Sequence, residues 1–239
     1  MVNLEHIRKN IILKNGIHYF DFTASGLAYK PIENEIIKVL ETYANTHSIS
    51  SSNAFKTAEI YENSRRELKY FLDLDDSFYL FACGSGATGA IKKFQEILGI
   101  YAPPALKKRY KLKPDENSPL VVLGPYEHHS NEVSFRQALC EVERIRLDKN
   151  GGIDFNHLEQ ILKINVGREI IASFSVASNV TGILSDYRKI YTLVKSYGGI
   201  VAFDAASFSA YANIDCDYFD ALFLSPHKLL GGVGSCGLL

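Results

Sequence analysis

The sequence predicts an α/β fold in which a mostly parallel sheet lies between two layers of helices. Short apolar stretches alternate with amphipathic ones from Phe78 to Leu224, and such alternation is typical of parallel strands joined by helical crossovers. Five of the predicted strands are each followed by a polar or glycine-rich cluster. The 239 residues are enough to bury one large α/β core.

Two predicted helices precede the alternating part of the chain. Pro31 opens an apolar-periodic run that includes Leu40, and Ser52-Asn53 can cap a helix that continues through Leu72. Pro103–Pro119 is interpreted as a long surface loop. Later helices are predicted at Ala90–Leu98, Ser130–Leu139, Asp154–Leu162 and Ser185–Tyr197. The strands are predicted at Phe78–Cys83, Leu120–Leu123, Glu141–Ile145, Ile170–Phe174, Ile200–Phe203 and Ala221–Leu224.

Composition excludes several classes of partner. The chain has 26 Lys and Arg against 27 Asp and Glu, and this balance disfavours nucleic acid or an anionic membrane, since either needs a basic face. The four cysteines form no C-x-x-C pair, so we expect no metal site or disulfide framework and a cytoplasmic location. No apolar run reaches the ~18 residues that a membrane span needs.

The polar clusters follow strands whose carboxyl ends would share one edge of the sheet. Ligands of open α/β sheets bind outside this edge, so the clusters predict a polar crevice large enough for a cofactor. The five clusters are Gly84–Gly89, Tyr126–Asn131, Ser175–Gly182, Asp204–Ser207 and Ser225–Lys228.

The first cluster favours phosphate binding. Gly84–Gly89 matches G-x-G-x-x-G between a strand and a helix, but the acidic residue of a dinucleotide site, expected after the next strand, is missing. It is not a Walker A loop, because Ala90-Ile91 replace Lys-Ser/Thr. What remains is a helix N-terminus whose N–H groups, with the Thr88 hydroxyl, can hold a phosphate. The alternative is a glycine-rich turn without a ligand.

Two charged residues next to buried strands indicate covalent chemistry. Lys228 follows an apolar strand, where burial disfavours its charge and favours a Schiff base with a carbonyl; the alternative is an exposed loop lysine. Asp204 ends the apolar run Ile200–Phe203, so its carboxylate needs a partner. That partner can be the protonated ring nitrogen of pyridoxal phosphate, or Asp204 can be a structural helix cap.

The histidines favour the same interpretation less strongly. His128 and His129 could bind a metal, but no third ligand has suitable spacing, so we predict no metal and a ring that stacks on a planar cofactor. His47 is a candidate for the substrate pocket, and the alternative is an ordinary surface histidine.

Five motifs together resemble the class V aminotransferase-like, fold-type-I enzymes that use pyridoxal 5'-phosphate, which include cysteine desulfurases, selenocysteine lyases and kynureninases. The matches cover nearly the whole chain in the order of the family. The resembling segments are Tyr19–Ser25, Ser85–Thr88, Glu127–Asn131, Ser178–Gly182 and Ser225–Lys228.

The resemblance implies a role for each candidate residue. Lys228 would form the Schiff base and move the substrate's Cα proton, Asp204 would hold the pyridinium nitrogen, and His128 would stack on the ring as a cofactor-binding and catalytic residue. The remaining implied contacts are Ala87, Thr88, Ser225 and His227 at the phosphate, Asn179 beside the ring oxygen or the substrate carboxylate, Ser207 at the position of the ring-oxygen contact, and Ser25 and His47 in the substrate pocket. A homodimer acting on a small amino acid is also implied.

Departures from the family put the reaction in question. Ser207 replaces the Gln that contacts the ring oxygen in desulfurases, and none of the four cysteines lies where the desulfurase nucleophile is found. The resemblance further implies an N-terminal arm and substrate-side segment over residues 1–30 and a cofactor-binding large domain over 31–239. We expect that domain to be incomplete, without the small C-terminal domain that carries the substrate-binding Arg.

Three functions stay open on the sequence alone. The first is a cofactor-dependent transferase or lyase, with cysteine desulfurase or lyase chemistry or transamination through Lys228. The second is a truncated, catalytically impaired module that binds only cofactor or a partner. The third, ranked lower, is an NAD-type oxidoreductase based on Gly84–Gly89.

Overall fold

The computed structural model describes residues 3–239, and the chain divides into two compact units. The first unit comprises the chain up to Leu80 together with His227–Ser235, and the second comprises Phe81–Pro226 with Cys236–Leu239. No helix among the described residues is long and apolar enough to cross a membrane. The predicted domain boundary after residue 30 stays a prediction.

The described part of the first unit contains three helices before its His227–Ser235 segment. They are α1 (Leu4–Asn10), α2 (Lys30–Glu41) and α3 (Ser52–Phe71). Pro31 lies in the first turn of α2, as predicted, because its missing N–H needs no partner there. Helix α3 is capped by Ser51, whose side chain accepts from Ala54 N, and not by the predicted Ser52-Asn53. Helix α1 was not predicted.

The second unit is built on a five-stranded sheet in which every neighbouring pair is parallel. The strand order β3-β2-β4-β5-β6 places the most apolar strands centrally, where both faces are covered. This confirms the predicted parallel core. The strands are β2 (Leu120–Leu123), β3 (Glu141–Arg144), β4 (Ile170–Ser175), β5 (Ile200–Asp204) and β6 (Ala221–Phe223).

Helices join the strands of the second unit, and α4, α6 and α8 pack on the sheet. Side-chain caps start two of them, because Asp154 accepts from His157 N before α7 and Asp186 accepts from Lys189 N before α8. The helices are α4 (Gly86–Ile97), α5 (Pro104–Tyr110), α6 (His129–Gln137), α7 (Phe155–Ile164) and α8 (Tyr187–Lys195). The largest buried side chains of the core include Phe135, Phe174, Phe203 and Phe223.

Two further predictions were wrong in detail. The predicted strand Phe78–Cys83 is reduced to β1 (Ala82–Cys83), which pairs antiparallel with β7 (Gly237–Leu238) outside the parallel sheet. The stretch Pro103–Pro119, interpreted as a surface loop, contains α5. A proline starts this helix, but its charged residues show no apolar period, so the sequence pattern did not predict it. Four of the five polar clusters therefore follow strands of the parallel sheet, and the glycine-rich one follows β1.

Candidate cofactor site

The glycine-rich loop of the second unit leads into the N-terminus of α4. Gly84 and Gly86 have φ of +44° and +56°, a left-handed conformation that favours glycine. The side chain of Ser85, the N-cap residue, makes no hydrogen bond to the first turn of α4. This geometry leaves the start of the helix suited to a phosphate.

Two predicted phosphate contacts are brought together at this helix end. Ala87 N donates to Ser225 Oγ at 2.8 Å, and both residues are buried. This hydrogen bond fixes the turn after β6 against the first turn of α4. Thr88 is exposed and lines a cavity of about 390 Å³ together with Gln95, Tyr101 and others.

Asp204 is buried at the carboxyl end of β5. Its Oδ1 accepts from Ala206 N at 2.9 Å, and its backbone oxygen accepts from Val176 N at 2.9 Å. Ser207 lies in the following turn and donates from Oγ to Ala177 O at 2.7 Å. The ends of β4 and β5 are thereby joined around the carboxylate, while a contact between Ser207 and a cofactor stays a prediction.

His128 and Asn179 lie at the surface of the second unit. His128 caps α6 through Nδ1, which accepts from Ser130 N at 3.2 Å. Asn179 is exposed in a turn where Ser178 Oγ accepts from Thr181 N at 3.1 Å.

The sequence reasoning missed the role of Glu127, which it used only as part of a motif. The carboxyl of Glu127 is enclosed and accepts from Ser175 N, Ser175 Oγ and Asn131 Nδ2 at 2.8, 2.8 and 2.7 Å. Burial raises its pKa to about 7, the hydrogen bonds from Ser175 and Asn131 oppose the rise, and the charge of Asp204 adds to it. Nothing in the local sequence signalled this network, since its partners come from two other elements.

The Lys228 segment belongs to the first unit, where residues near Ser25 hold it. Gly26 N donates to His227 O at 2.8 Å and Gly231 N donates to Leu27 O at 2.7 Å, so backbone hydrogen bonds flank Lys228 on both sides. Ser25 Oγ donates to His227 O at 3.4 Å. Ser25 and the lysine segment are therefore adjacent, while their roles at the substrate and at the cofactor stay predictions.

Gly26 makes this close approach between the two segments of the first unit sterically allowed. A Cβ at this position would overlap the backbone oxygen of Leu229.

Burial lowers the pKa of His227, and the charge of Lys228 lowers it further. His47 is exposed and its backbone N donates to Asn45 Oδ1 at 3.0 Å; its place in a substrate pocket stays a prediction.

Comparison with known proteins decides the family. The model of the aminotransferase class-V family matches residues 18–236. The chain belongs to the class-V aminotransferase family. Among curated relatives, a probable cysteine desulfurase of Pyrococcus abyssi is 29% identical over 241 residues, which cover 98% of this chain and 55% of the relative. One of Streptomyces coelicolor is 21% identical over 98% of this chain and 56% of its own length. The chain spans about half the length of these relatives.

Solved structures share the fold of this member of the class-V aminotransferase family. The apo cysteine desulfurase from Thermococcus onnurineus NA1 superposes with a TM-score of 0.80 at 22% identity, over 100% of this chain and 56% of that one. A cysteine desulfurase from Escherichia coli superposes with a TM-score of 0.73 at 22% identity, over 100% and 57%. The predicted fold class, the large domain of fold-type-I enzymes, is thus confirmed.

The second unit fits the cofactor that this family uses, pyridoxal phosphate. The start of α4 suits the phosphate for two reasons. The side chain of its N-cap residue makes no capping hydrogen bond, and Ser225 is held next to the first turn by its hydrogen bond with Ala87 N. The buried Asp204 suits a protonated ring nitrogen, because a buried carboxylate favours an adjacent positive charge. The donor set therefore matches the two ionic ends of the molecule.

Proposed function

We propose that this class-V aminotransferase binds pyridoxal phosphate and acts on a small amino acid by cysteine desulfurase or lyase chemistry, through a Schiff base at Lys228. The observation that carries the proposal is the buried Asp204 at the end of a central strand of a unit whose α4 N-terminus suits a phosphate. The family match and the cysteine desulfurase names of several relatives support it.

The bound cofactor would act as an electron sink for charge at the substrate's Cα. Asp204 would keep a proton at the ring nitrogen, and Lys228 would hold the aldehyde carbon and move a proton at Nζ. His128 would lie flat against the ring. The other proposed contacts are Ala87, Thr88, Ser225 and His227 for the phosphate, Asn179 and Ser207 for the ring edge, and Ser25 and His47 for the substrate.

The anchored lysine segment supports a covalent role for Lys228. Its two flanking backbone hydrogen bonds, from Gly26 and from Gly231, limit how far the segment can move. A lysine held in this way loses less conformational freedom when it reacts, which favours attack at a defined carbon. The proposed homodimer and cytoplasmic location follow from the resemblance and from the composition, and a mass measurement of the purified protein in solution tests the dimer.

The experiment is an absorption spectrum of the purified protein with and without added pyridoxal phosphate. We expect a visible band in the wild type, loss of that band in Lys228→Ala, and an unchanged band in Lys149→Ala, a control in an exposed turn. No band in the wild type after the addition contradicts the proposal.

Turnover separates the candidate reactions. Release of sulfide and alanine from cysteine indicates desulfuration, whereas amino transfer to a keto acid indicates transamination. A visible band without any turnover supports the alternative of a cofactor-binding module that lacks catalysis.

A further inference from the structure

A buried carboxyl outside the proposed cofactor contacts connects three elements of the second unit. Glu127 lies between β2 and α6, and its two carboxyl oxygens accept three hydrogen bonds, two from Ser175 and one from Asn131. Ser175 ends β4, and Asn131 lies in the first turn of α6. One side chain therefore holds a strand end, a helix start and its own loop together.

The network extends further into the sheet. Asn131 Oδ1 accepts from Ser173 Oγ at 2.7 Å, and both residues are fully buried. Ser185 Oγ donates to Ser175 O at 2.6 Å. The strand end at Ser175 is thus held from both sides, and Glu127 supplies the two hydrogen bonds to its N–H and hydroxyl.

Two proposed cofactor contacts are attached directly to this network. Ser175 is the register partner of Asp204 in the β4–β5 pair, and His128 is the residue after Glu127. A displacement of the Glu127 carboxyl would therefore move both Asp204 and His128. Glu127 is not itself a proposed contact of the cofactor.

Gly124 leaves the space that the carboxyl occupies. A Cβ at this position would overlap Glu127 Oε1 and would come within 3.0 Å of Phe174 Cδ1. No left-handed φ is needed there, so the requirement for glycine comes from this close approach. A substitution at Gly124 would therefore displace the Glu127 carboxyl without removing it.

We propose that Glu127 is a positioning residue for the cofactor, which fixes the ends of β4 and β5 at Asp204 and the His128 loop as one piece and adds a second carboxyl near Asp204, on the strand-end partner Ser175. The proposal rests on the proposed function. A buried network that is fully hydrogen-bonded gives a rigid arrangement, and rigid support of contact residues is what cofactor sites need.

The charges around Glu127 define what its removal should do. Besides burial, the charge of Asp204 on β5 raises the pKa of the Glu127 carboxyl. Besides burial, the charge of Glu127 in turn raises the pKa of Tyr126, which lies in the same loop. The neutral groups that hydrogen-bond to its carboxyl belong to Ser175 and Asn131, and Ser173 hydrogen-bonds in turn to Asn131. Ionised Glu127 would add to the negative charge of Asp204 and so favour protonated forms of a nearby cofactor.

The experiment compares the wild type with Glu127→Gln, Gly124→Ala and the exposed control Glu143→Gln. In cofactor-free protein, hydrogen exchange measured by mass spectrometry should increase in peptides around Ser175 and Asp204 for the first two variants only. With pyridoxal phosphate added, we expect binding about fivefold to fiftyfold weaker in both. The pH midpoint of the visible band should lie lower in Glu127→Gln, because one negative charge is lost.

The outcomes separate this inference from the proposed function. A wild type that binds no pyridoxal phosphate contradicts the proposed function, while the exchange measurement still tests the network. A wild type that binds it, with Glu127→Gln and Gly124→Ala indistinguishable from Glu143→Gln in exchange, affinity and pH midpoint, overturns the role of Glu127 alone. Weaker binding with an unchanged pH midpoint also overturns the role of its charge.

Discussion

Glu127 should make the stability of the cofactor-free protein depend on pH. Burial raises the pKa of its carboxyl from 4.5 to about 7, and each pKa unit of difference between the folded and the unfolded chain corresponds to about 1.4 kcal/mol. The ionised carboxyl therefore costs the folded protein about 3 kcal/mol at pH values above 7.

The sign of the effect follows from where the proton is bound. Between pH 4.5 and about 7 the folded chain holds a proton on Glu127 that the unfolded chain has released. The stability that Glu127 contributes is therefore fully present below the pKa of its carboxyl in the unfolded chain, and it is lost as the pH rises through the pKa of the carboxyl in the folded chain. Glu127→Gln removes this titration and keeps a side chain of the same shape.

The assay is urea unfolding followed by circular dichroism at about pH 5 and about pH 8. Relative to Glu127→Gln, the free energy of unfolding of the wild type should fall by about 2 to 3 kcal/mol between these values. Glu143→Gln, an exposed control in β3, should follow the wild type, and other titrating groups cancel in the comparison. Parallel pH curves for the wild type and Glu127→Gln would refute the reasoning.

Three further predictions concern single contacts, and thermal unfolding measures each. Gly26→Ala should destabilise by about 1–3 kcal/mol because its Cβ meets the Leu229 carbonyl, whereas Gly152→Ala, which has more space, should not. Asp154→Ala should cost about 1 kcal/mol and lower the Tm by about 2–4 °C, because α7 loses its cap; an unchanged Tm contradicts the capping role. Ser225→Ala should cost about 1–3 kcal/mol, because a buried N–H of α4 loses its acceptor, and a variant as stable as the wild type would show that water replaces it.

The sheet could be predicted because local pattern and burial agree in it. Leu120–Leu123 and Ile170–Ser175 are fully buried, and continuous apolar runs with helices between them admit few other structures. Asp204 was recognisable for the same reason, since a carboxylate that ends such a run needs a special environment. Chain order alone then placed the polar clusters at strand ends.

The features that could not be predicted depend on contacts between distant segments. Strand β1 exists because Ala82 pairs with Leu238, 156 positions later, and no local pattern specifies that partner. The network of Glu127 likewise depends on Ser175 and on the register between β4 and β5, which cannot be deduced from the sequence alone. Helix α5 was missed for a different reason, because its charged residues carry no apolar period.

Two glycines each leave space beside a residue of the proposed site. Gly26 and Gly124 have no left-handed φ, so neither is required by a turn, and each instead leaves space for a neighbouring group. At Gly26 that group is the backbone after Lys228, and at Gly124 it is the carboxyl of Glu127. Substitution at either glycine therefore acts on a segment of the proposed site without removing any of its proposed contacts. A loss of cofactor binding in Gly26→Ala or Gly124→Ala, with the fold retained, would place the requirement on position rather than on chemistry.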